Sequence, residues 1–67
     1  MIDVVLNGKV ERLDESCTIA ALLGKLGIDG EAIAVEVNQR IVPRRAHEET
    51  RLREGDIVEI VTLVGGG

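Results

Sequence analysis

The sequence predicts an α+β domain in which one helix crosses a mixed β-sheet. Three observations support this prediction: a hairpin pattern at residues 2–13, a helical pattern at 19–26, and an apolar, β-branched run at 57–63. Strand patterns on both sides of a single helical pattern favour a sheet that packs on that helix. Because the last strand is rich in β-branched residues, we expect it at the centre of the sheet.

The hairpin and the helix each have their own local sequence pattern. Residues 2–13 alternate with period two on both sides of Asn7-Gly8, a dipeptide typical of a two-residue hairpin turn. Ser16 or Thr18 can cap the helix, and Gly27 can end it. Its apolar face has i, i+3, i+4 and i+7 spacing and consists of Ile19, Leu22, Leu23 and Leu26.

One residue inside the predicted helix is unfavourable there. Gly24 weakens a helix by about 1 kcal/mol relative to alanine. Such a residue either lets the helix fray or allows another segment to pack closely against it. We favour close packing at Gly24.

The second half of the chain returns to strand patterns. Residues 32–37 and 40–42 predict two short strands joined by a tight turn. Pro43 favours an edge position for the second strand, because proline has no N–H for a ladder hydrogen bond. Residues 44–53 are polar and irregular, with room for one helical turn, and Glu54-Gly55-Asp56 predicts the turn into the last strand.

Length and composition limit the possible functions. The chain has 67 residues, 45% of them hydrophobic and none aromatic, which indicates one small globular domain with an aliphatic core. Twelve acidic residues against eight basic ones oppose nucleic-acid binding. The sequence has no leader pattern and no apolar run near the roughly 20 residues of a membrane helix. We therefore expect a cytoplasmic protein that does not act at a membrane.

The residues able to carry chemistry favour ordinary structural roles. Cys17 excludes an internal disulfide and is expected to be a small apolar filler at the helix entrance. His47 is expected at the surface beside Glu48 and Glu49, rather than as a metal ligand or a base. No glycine loop has the spacing of a phosphate-binding motif. The sequence thus predicts neither a catalytic residue nor a metal site.

The chain ends on Gly65-Gly66-Gly67, directly after the last apolar strand. Glycine offers no side chain to bury and loses much conformational entropy on ordering, so these residues gain little for the fold. They are either an ordinary frayed terminus or a thin tail that another protein threads into its active site. The glycines by themselves leave both interpretations open.

The order of elements is similar to the ubiquitin-like β-grasp fold. Residues 33–44 (IAVEVNQRIVPR) and 54–61 (EGDIVEIV) closely resemble the sulfur carrier proteins of thiamin biosynthesis, the ThiS family. The resemblance covers the whole chain, and residues 38–44 are its most discriminating piece. It implies one β-grasp domain at residues 1–64 and a flexible glycine tail at 65–67, with Gly65 as a third glycine that lengthens the tail.

The resemblance implies a carrier and co-substrate rather than an enzyme. In that family an E1-like adenylyltransferase uses ATP to form an acyl-adenylate on the terminal glycine, which is Gly67 here. Sulfur from a donor system then replaces AMP, and thiazole synthase consumes the resulting thiocarboxylate. Gly65 and Gly66 would let the tail thread into these partners, and no processing protease would be needed. The chain itself would bind no cofactor, because ATP would be bound by the activating partner.

Other functions remain open beside this one. A molybdopterin-type sulfur carrier shares the fold, the tail and the acyl-adenylate chemistry. A ubiquitin-like modifier would use the same tail to form isopeptide bonds with lysines. A structural adaptor of the same fold would need no activated terminus.

The last strand also predicts a docking surface. If Val58 faces the helix, period-two alternation exposes alternate apolar residues on the opposite face of the sheet. An exposed apolar patch on so small a domain indicates a protein partner. Ile41 or Val42 on the neighbouring strand would extend this patch. The predicted docking residues are Ile41, Val42, Ile57, Val61 and Leu63.

Overall fold

The computed structural model describes residues 1–28 and 32–63. Its elements are β1 (Ile2–Leu6), β2 (Lys9–Leu13), α1 (Ile19–Leu26), β3 (Ile33–Val37), β4 (Arg40–Val42), a 3-10 turn (Arg44–Ala46) and β5 (Ile57–Thr62). The strands form one sheet in the order β2-β1-β5-β3-β4. β5 pairs in parallel with β1 and antiparallel with β3. The predicted mixed sheet with the last strand at its centre is therefore confirmed.

The opening hairpin forms as the sequence predicts. Asn7 and Gly8 both have positive φ angles, 47° and 84°, which is the backbone of a type I′ turn. This turn matches the right-handed twist of the flanking strands and sets the register that pairs Leu6 with Lys9. The hairpin thus fixes which residues of β1 face the core.

The helix begins and ends on specific capping residues. Of the two predicted N-caps, Thr18 is the one used, since its Oγ1 accepts the backbone N–H of Ala21 at 3.1 Å. Gly27 ends the helix in the left-handed conformation, with φ 70°. Ser16 instead donates two hydrogen bonds to Asp14. These bonds are the main reason that the pKa of the Asp14 carboxyl lies below its usual value.

The core is entirely aliphatic and lies between α1 and one face of the sheet. Leu52, in the irregular segment before β5, closes it from the side, and its N–H donates to the Cys17 carbonyl at 2.9 Å. Cys17 packs against the cluster as the predicted apolar filler, and burial raises the pKa of its thiol. The buried core residues are Val4, Leu6, Leu13, Ile19, Leu22, Leu23, Val35, Leu52 and Val58.

Two expectations about the helix are wrong. A Cβ placed on Gly24 would meet no atom within 4 Å, so this glycine is exposed and nothing packs closely against it. Leu26 is also exposed, although it has the spacing of the buried face. The helix has only eight residues, and its buried side chains are Ile19, Leu22 and Leu23.

The expectation of a surface position for His47 is wrong as well. This side chain is only 5% exposed. Its Nε2 lies 3.0 Å from the Val42 carbonyl oxygen, and its own backbone carbonyl accepts the N–H of Ala20. The 3-10 turn carries the chain back toward α1, so that His47 joins β4 to the helix. Its acidic neighbours, Glu48 and Glu49, are exposed as expected.

The two helix glycines should respond to alanine in opposite ways. Gly24→Ala should stabilise the fold by about 1 kcal/mol, because alanine is the better helix former and its methyl group meets open space. Gly27→Ala should destabilise it by about 1–2 kcal/mol, because its φ of 70° is unfavourable for any residue with a Cβ. Urea denaturation followed by circular dichroism measures both. A destabilised Gly24→Ala protein would contradict the open position of Gly24.

Candidate functional site

The candidate site begins where the central strand leaves the sheet. β5 is flanked by β1 and β3, and the Leu63 N–H extends its ladder by donating to the Ala32 carbonyl at 2.8 Å. Residues 64–67 lie outside the described part of the chain, so the predicted roles of Gly65, Gly66 and Gly67 and the boundary at residue 64 stay predictions. The last residues that the structure describes are thus hydrogen-bonded to the central part of the sheet.

A side chain supports this strand beyond the end of β1. β1 pairs with β5 through Val5 and Leu6. One residue further, the Asn7 Oδ1 accepts the Ile60 N–H at 2.8 Å, and its Nδ2 approaches the Ile60 carbonyl oxygen at 3.4 Å. The amide therefore replaces a missing backbone partner. The sequence predicts only the turn role of Asn7, because nothing in it pairs this residue with one more than fifty positions away.

A second asparagine anchors the start of β5. The Asn38 Oδ1 accepts the Ile57 N–H and its Nδ2 donates to Asp56, both at 3.0 Å. Asp56 also accepts the Arg53 N–H at 2.7 Å. These contacts hold Asn38 in a left-handed conformation, with φ 52°. Asn7 and Asn38 together fix both ends of the strand that precedes the tail.

The sheet has a face without any covering element among the described residues. Val58 is fully buried, whereas Ile57, Val61 and Leu63 on the opposite side are 53%, 49% and 54% exposed. Ile41 is 69% exposed and lies on the same side, because its register partner Glu36 alternates with the buried Val35. We call this side the open face; its apolar residues are Val5, Val10, Ala34, Ile41, Ile57, Val61 and Leu63.

One of the predicted docking residues lies on the other side of the sheet. Val42 pairs directly with the buried Val35 and packs against the core. Of the two alternatives on β4, Ile41 therefore extends the exposed patch and Val42 does not. The structure confirms the exposure of the other predicted residues, while their role in docking stays a prediction.

The open face extends beyond the predicted docking residues. Val5 pairs with Val10 on one side and with Ile57 on the other, so three apolar residues form a row across β2, β1 and β5. Val10 is largely exposed. The alternation of the hairpin, with Val4 and Leu6 inward, already predicts that Val5 points outward. The patch is thus wider than the last two strands.

The opposite side of the molecule has a groove beside the helix. This groove has a volume of about 670 Å³ and runs between α1 and the 3-10 turn, lined by Ala20, Leu23, Ile28, Arg45, His47 and Glu48. His47 Nε2 is already engaged by the Val42 carbonyl. Within residues 1–28 and 32–63 there is no group of three or more His, Cys, Asp or Glu side chains that could hold a metal ion.

The remaining surface is charged. Five arginines are exposed between β3 and β5, namely Arg40, Arg44, Arg45, Arg51 and Arg53. Arg51 approaches the Glu15 carbonyl oxygen at 3.4 Å. In the described part of the chain, no helix combines the length and the apolar character needed to span a bilayer.

Comparison with known proteins identifies the relatives of this chain. A family model described as "ThiS family" matches residues 4–67. The sulfur carrier protein ThiS of Bacillus subtilis is 36% identical over 63 residues, which cover 92% of this chain and 96% of that protein. A thiazole synthase of Paramagnetospirillum magneticum is 42% identical over 64 residues. This chain spans about a fifth of that relative's length, 20%.

A solved structure gives the same fold. The crystal structure of the thiamine biosynthesis protein ThiS from Geobacter metallireducens has a TM-score of 0.84 and 33% sequence identity. The match covers 98% of this chain and 100% of that one. The predicted ubiquitin-like β-grasp fold is therefore confirmed, and because the family model also spans nearly the whole sequence, the chain belongs to the ThiS family.

Proposed function

We propose that this protein is a sulfur carrier of thiamin biosynthesis. Gly67 is adenylated by an E1-like enzyme and converted to a thiocarboxylate that donates its sulfur for thiazole formation. The observation that carries this proposal is the place of Gly65-Gly66-Gly67 in the sequence, separated by two residues from the central strand of a ThiS-family domain. The named sulfur carrier of Bacillus subtilis, which aligns over nearly all of its own length, supports it.

The proposed chemistry needs an activated carboxyl group. A carboxylate is a poor electrophile, so its oxygen first attacks the α-phosphorus of ATP and releases pyrophosphate. A sulfur nucleophile from the donor system then attacks the carbonyl carbon of the acyl-adenylate and displaces AMP. Sulfide gives the Gly67 thiocarboxylate directly, whereas a donor persulfide gives an acyl disulfide whose S–S bond a thiol reductant must cleave to release the thiocarboxylate. Glycine suits this position because no Cβ obstructs the approach to the carbonyl.

The chain contributes recognition and delivery to this reaction, and its partners contribute catalysis. β5 is clamped by Asn7 and Asn38 and leads directly to the tail, so the domain carries the reactive end at a fixed exit point. The exposed apolar residues of the open face offer a surface for the adenylyltransferase and for thiazole synthase. Neither ATP nor a metal ion has to bind to this domain.

The comparison supports thiazole synthase as the enzyme that consumes the sulfur. Two relatives named thiazole synthase, from Paramagnetospirillum magneticum and Magnetococcus marinus, align with 96% and 92% of this chain. In each of them the aligned region is about a fifth of the protein, 20% and 19%. A carrier-like region within proteins of that name is consistent with a carrier that works directly with thiazole synthase.

The tail should be essential for activation and dispensable for folding. We expect that deleting Gly67 abolishes adenylation, because the terminal carboxyl group then belongs to Gly66 and lies one residue short of the partner's active site. Replacing Gly66 with valine should also abolish it, because a β-branched side chain narrows the backbone conformations and the width available to the tail. ATP–pyrophosphate exchange with the E1-like enzyme measures activation, and circular dichroism checks the fold. Wild-type exchange by the protein lacking Gly67 would contradict the proposed site of modification.

The open face should be needed for docking. We expect Leu63→Asp to weaken binding to the adenylyltransferase or to thiazole synthase by about tenfold, because a carboxylate replaces an apolar contact. Its melting temperature should change little, since Leu63 is 54% exposed. Leu26→Asp, on the exposed end of α1, is the matched control and should bind normally. Unfolding of Leu63→Asp would instead place Leu63 in the core.

The pathway can be tested by sulfur delivery in vitro. The thiocarboxylated protein should support thiazole formation by thiazole synthase and should fail to replace the small subunit of molybdopterin synthase, because the two partners need different docking surfaces. Sulfur delivery to molybdopterin, with none to thiazole, would overturn the thiamin assignment and leave the broader carrier function standing.

The intact mass of the protein isolated from cells separates the remaining alternatives. A thiocarboxylate gives the mass increase of one sulfur in place of one oxygen. A protein modifier gives heavier conjugates, and a structural adaptor gives neither. Unmodified protein under conditions of active thiamin synthesis would count against the carrier function itself.

A further inference from the structure

The open face contains a pair of like charges at its centre. Glu36 on β3 and Glu59 on β5 are direct register partners. Side chains opposite each other in an antiparallel pair have Cβ atoms about 4.5–5.5 Å apart, and two like charges there repel each other. The sheet therefore carries two neighbouring carboxylates that weaken the fold.

No cation of the described chain neutralises this pair. Within residues 1–28 and 32–63, neither carboxylate has a hydrogen bond or an ion pair. The other two charged residues on the strands of this face, Asp3 and Arg12, are themselves register partners and approach to 3.9 Å. The uncompensated charge of the open face is thus entirely negative.

The position of the two carboxylates makes them unavoidable for a docking partner. Along β5, Glu59 lies between Ile57 and Val61, and across the sheet Glu36 lies between Glu59 and Ile41. A partner that contacts the apolar residues on both strands must therefore also cover the two glutamates. Buried carboxylates without a counter-charge are strongly unfavourable, so such a partner needs a group that compensates them.

We propose that the partner surface that docks on the open face presents a basic side chain to Glu36 and Glu59, within an apolar surround. Arginine fits best, because its planar guanidinium has five N–H donors and can bridge two carboxylates at once. The inference rests on the proposed function, since it specifies the chemistry that the open face requires of the adenylyltransferase or of thiazole synthase. The glutamate pair then acts as the element of this surface that determines specificity.

The test removes the charges and keeps the shape of the side chains. We expect the double variant Glu36→Gln, Glu59→Gln to bind these enzymes about tenfold more weakly and to lose most of the salt dependence of binding. In adenylation, KM for the carrier should rise while kcat stays unchanged, because the tail is intact. The melting temperature should stay equal or rise, since a repulsion has been removed.

The matched control is Glu48→Gln, Glu49→Gln. These two carboxylates are exposed and lie outside the strands that form the open face, and their removal changes the net charge equally. Wild-type affinity and salt dependence are expected for this control. If the Glu36, Glu59 double variant also binds as the wild type does, with an unchanged salt slope, the proposed contact is overturned.

A second measurement keeps the inference independent of the proposed function. If the wild-type protein binds neither enzyme, that result counts against the proposed function. The proposed contact between a basic group and the glutamate pair is then tested separately, by NMR titration of the protein with argininamide. Saturable shifts of the Ile41, Ile57 and Val61 methyl groups, lost in the Glu36, Glu59 double variant, would support a basic group at this face. Shifts no larger than those near Glu48 and Glu49 would overturn it.

Discussion

The parallel pairing of β5 with β1 is the constraint on which the rest of this molecule depends. It places the last strand between the two hairpins, so that one set of its residues closes the core and the alternate set forms the middle of the open face. A shift of one residue in this register would put Ile57 and Glu59 against the helix and expose Val58. The core, the open face and the point at which the chain leaves the sheet are therefore fixed together by a single register.

This register is held by few interactions, so the asparagine side chains matter more than usual. Only Val5 and Leu6 are paired with β5 along the parallel edge. Asn7 extends that edge through its amide, and Asn38 fixes the opposite end of the strand. The core has no aromatic side chain and consists of aliphatic residues, so a domain of this size buries little apolar surface. The free energy gained from this burial could not compensate for a misplaced strand. The hydrogen bonds from Asn7 and Asn38 near the two ends of β5 therefore help to specify its register.

Local patterns in the sequence predict the elements of this fold well, whereas contacts between distant segments largely escape them. The Asn-Gly turn, the helix spacing and the β-branched last strand were sufficient for the order of elements and for the exposed residues of β5. Leu52 and His47 lie in a polar, irregular segment, and their burial depends on how that segment returns to α1. For Val42, the register with Val35 decides which face it joins, and the sequence of β4 contains no such information.

In such a small carrier, discrimination between partner enzymes is expected to depend on the surface of the domain rather than on the tail. A glycine tail has no side chain by which related enzymes could distinguish it, so any enzyme with a suitable channel would accept it. Discrimination between partners must then come from groups whose burial is unfavourable with the wrong partner. The open face contains such groups, because Glu36 and Glu59 lie among apolar residues that are free to contact a partner. A surface that lowers the stability of the free domain is thereby able to exclude partners that lack the matching charge.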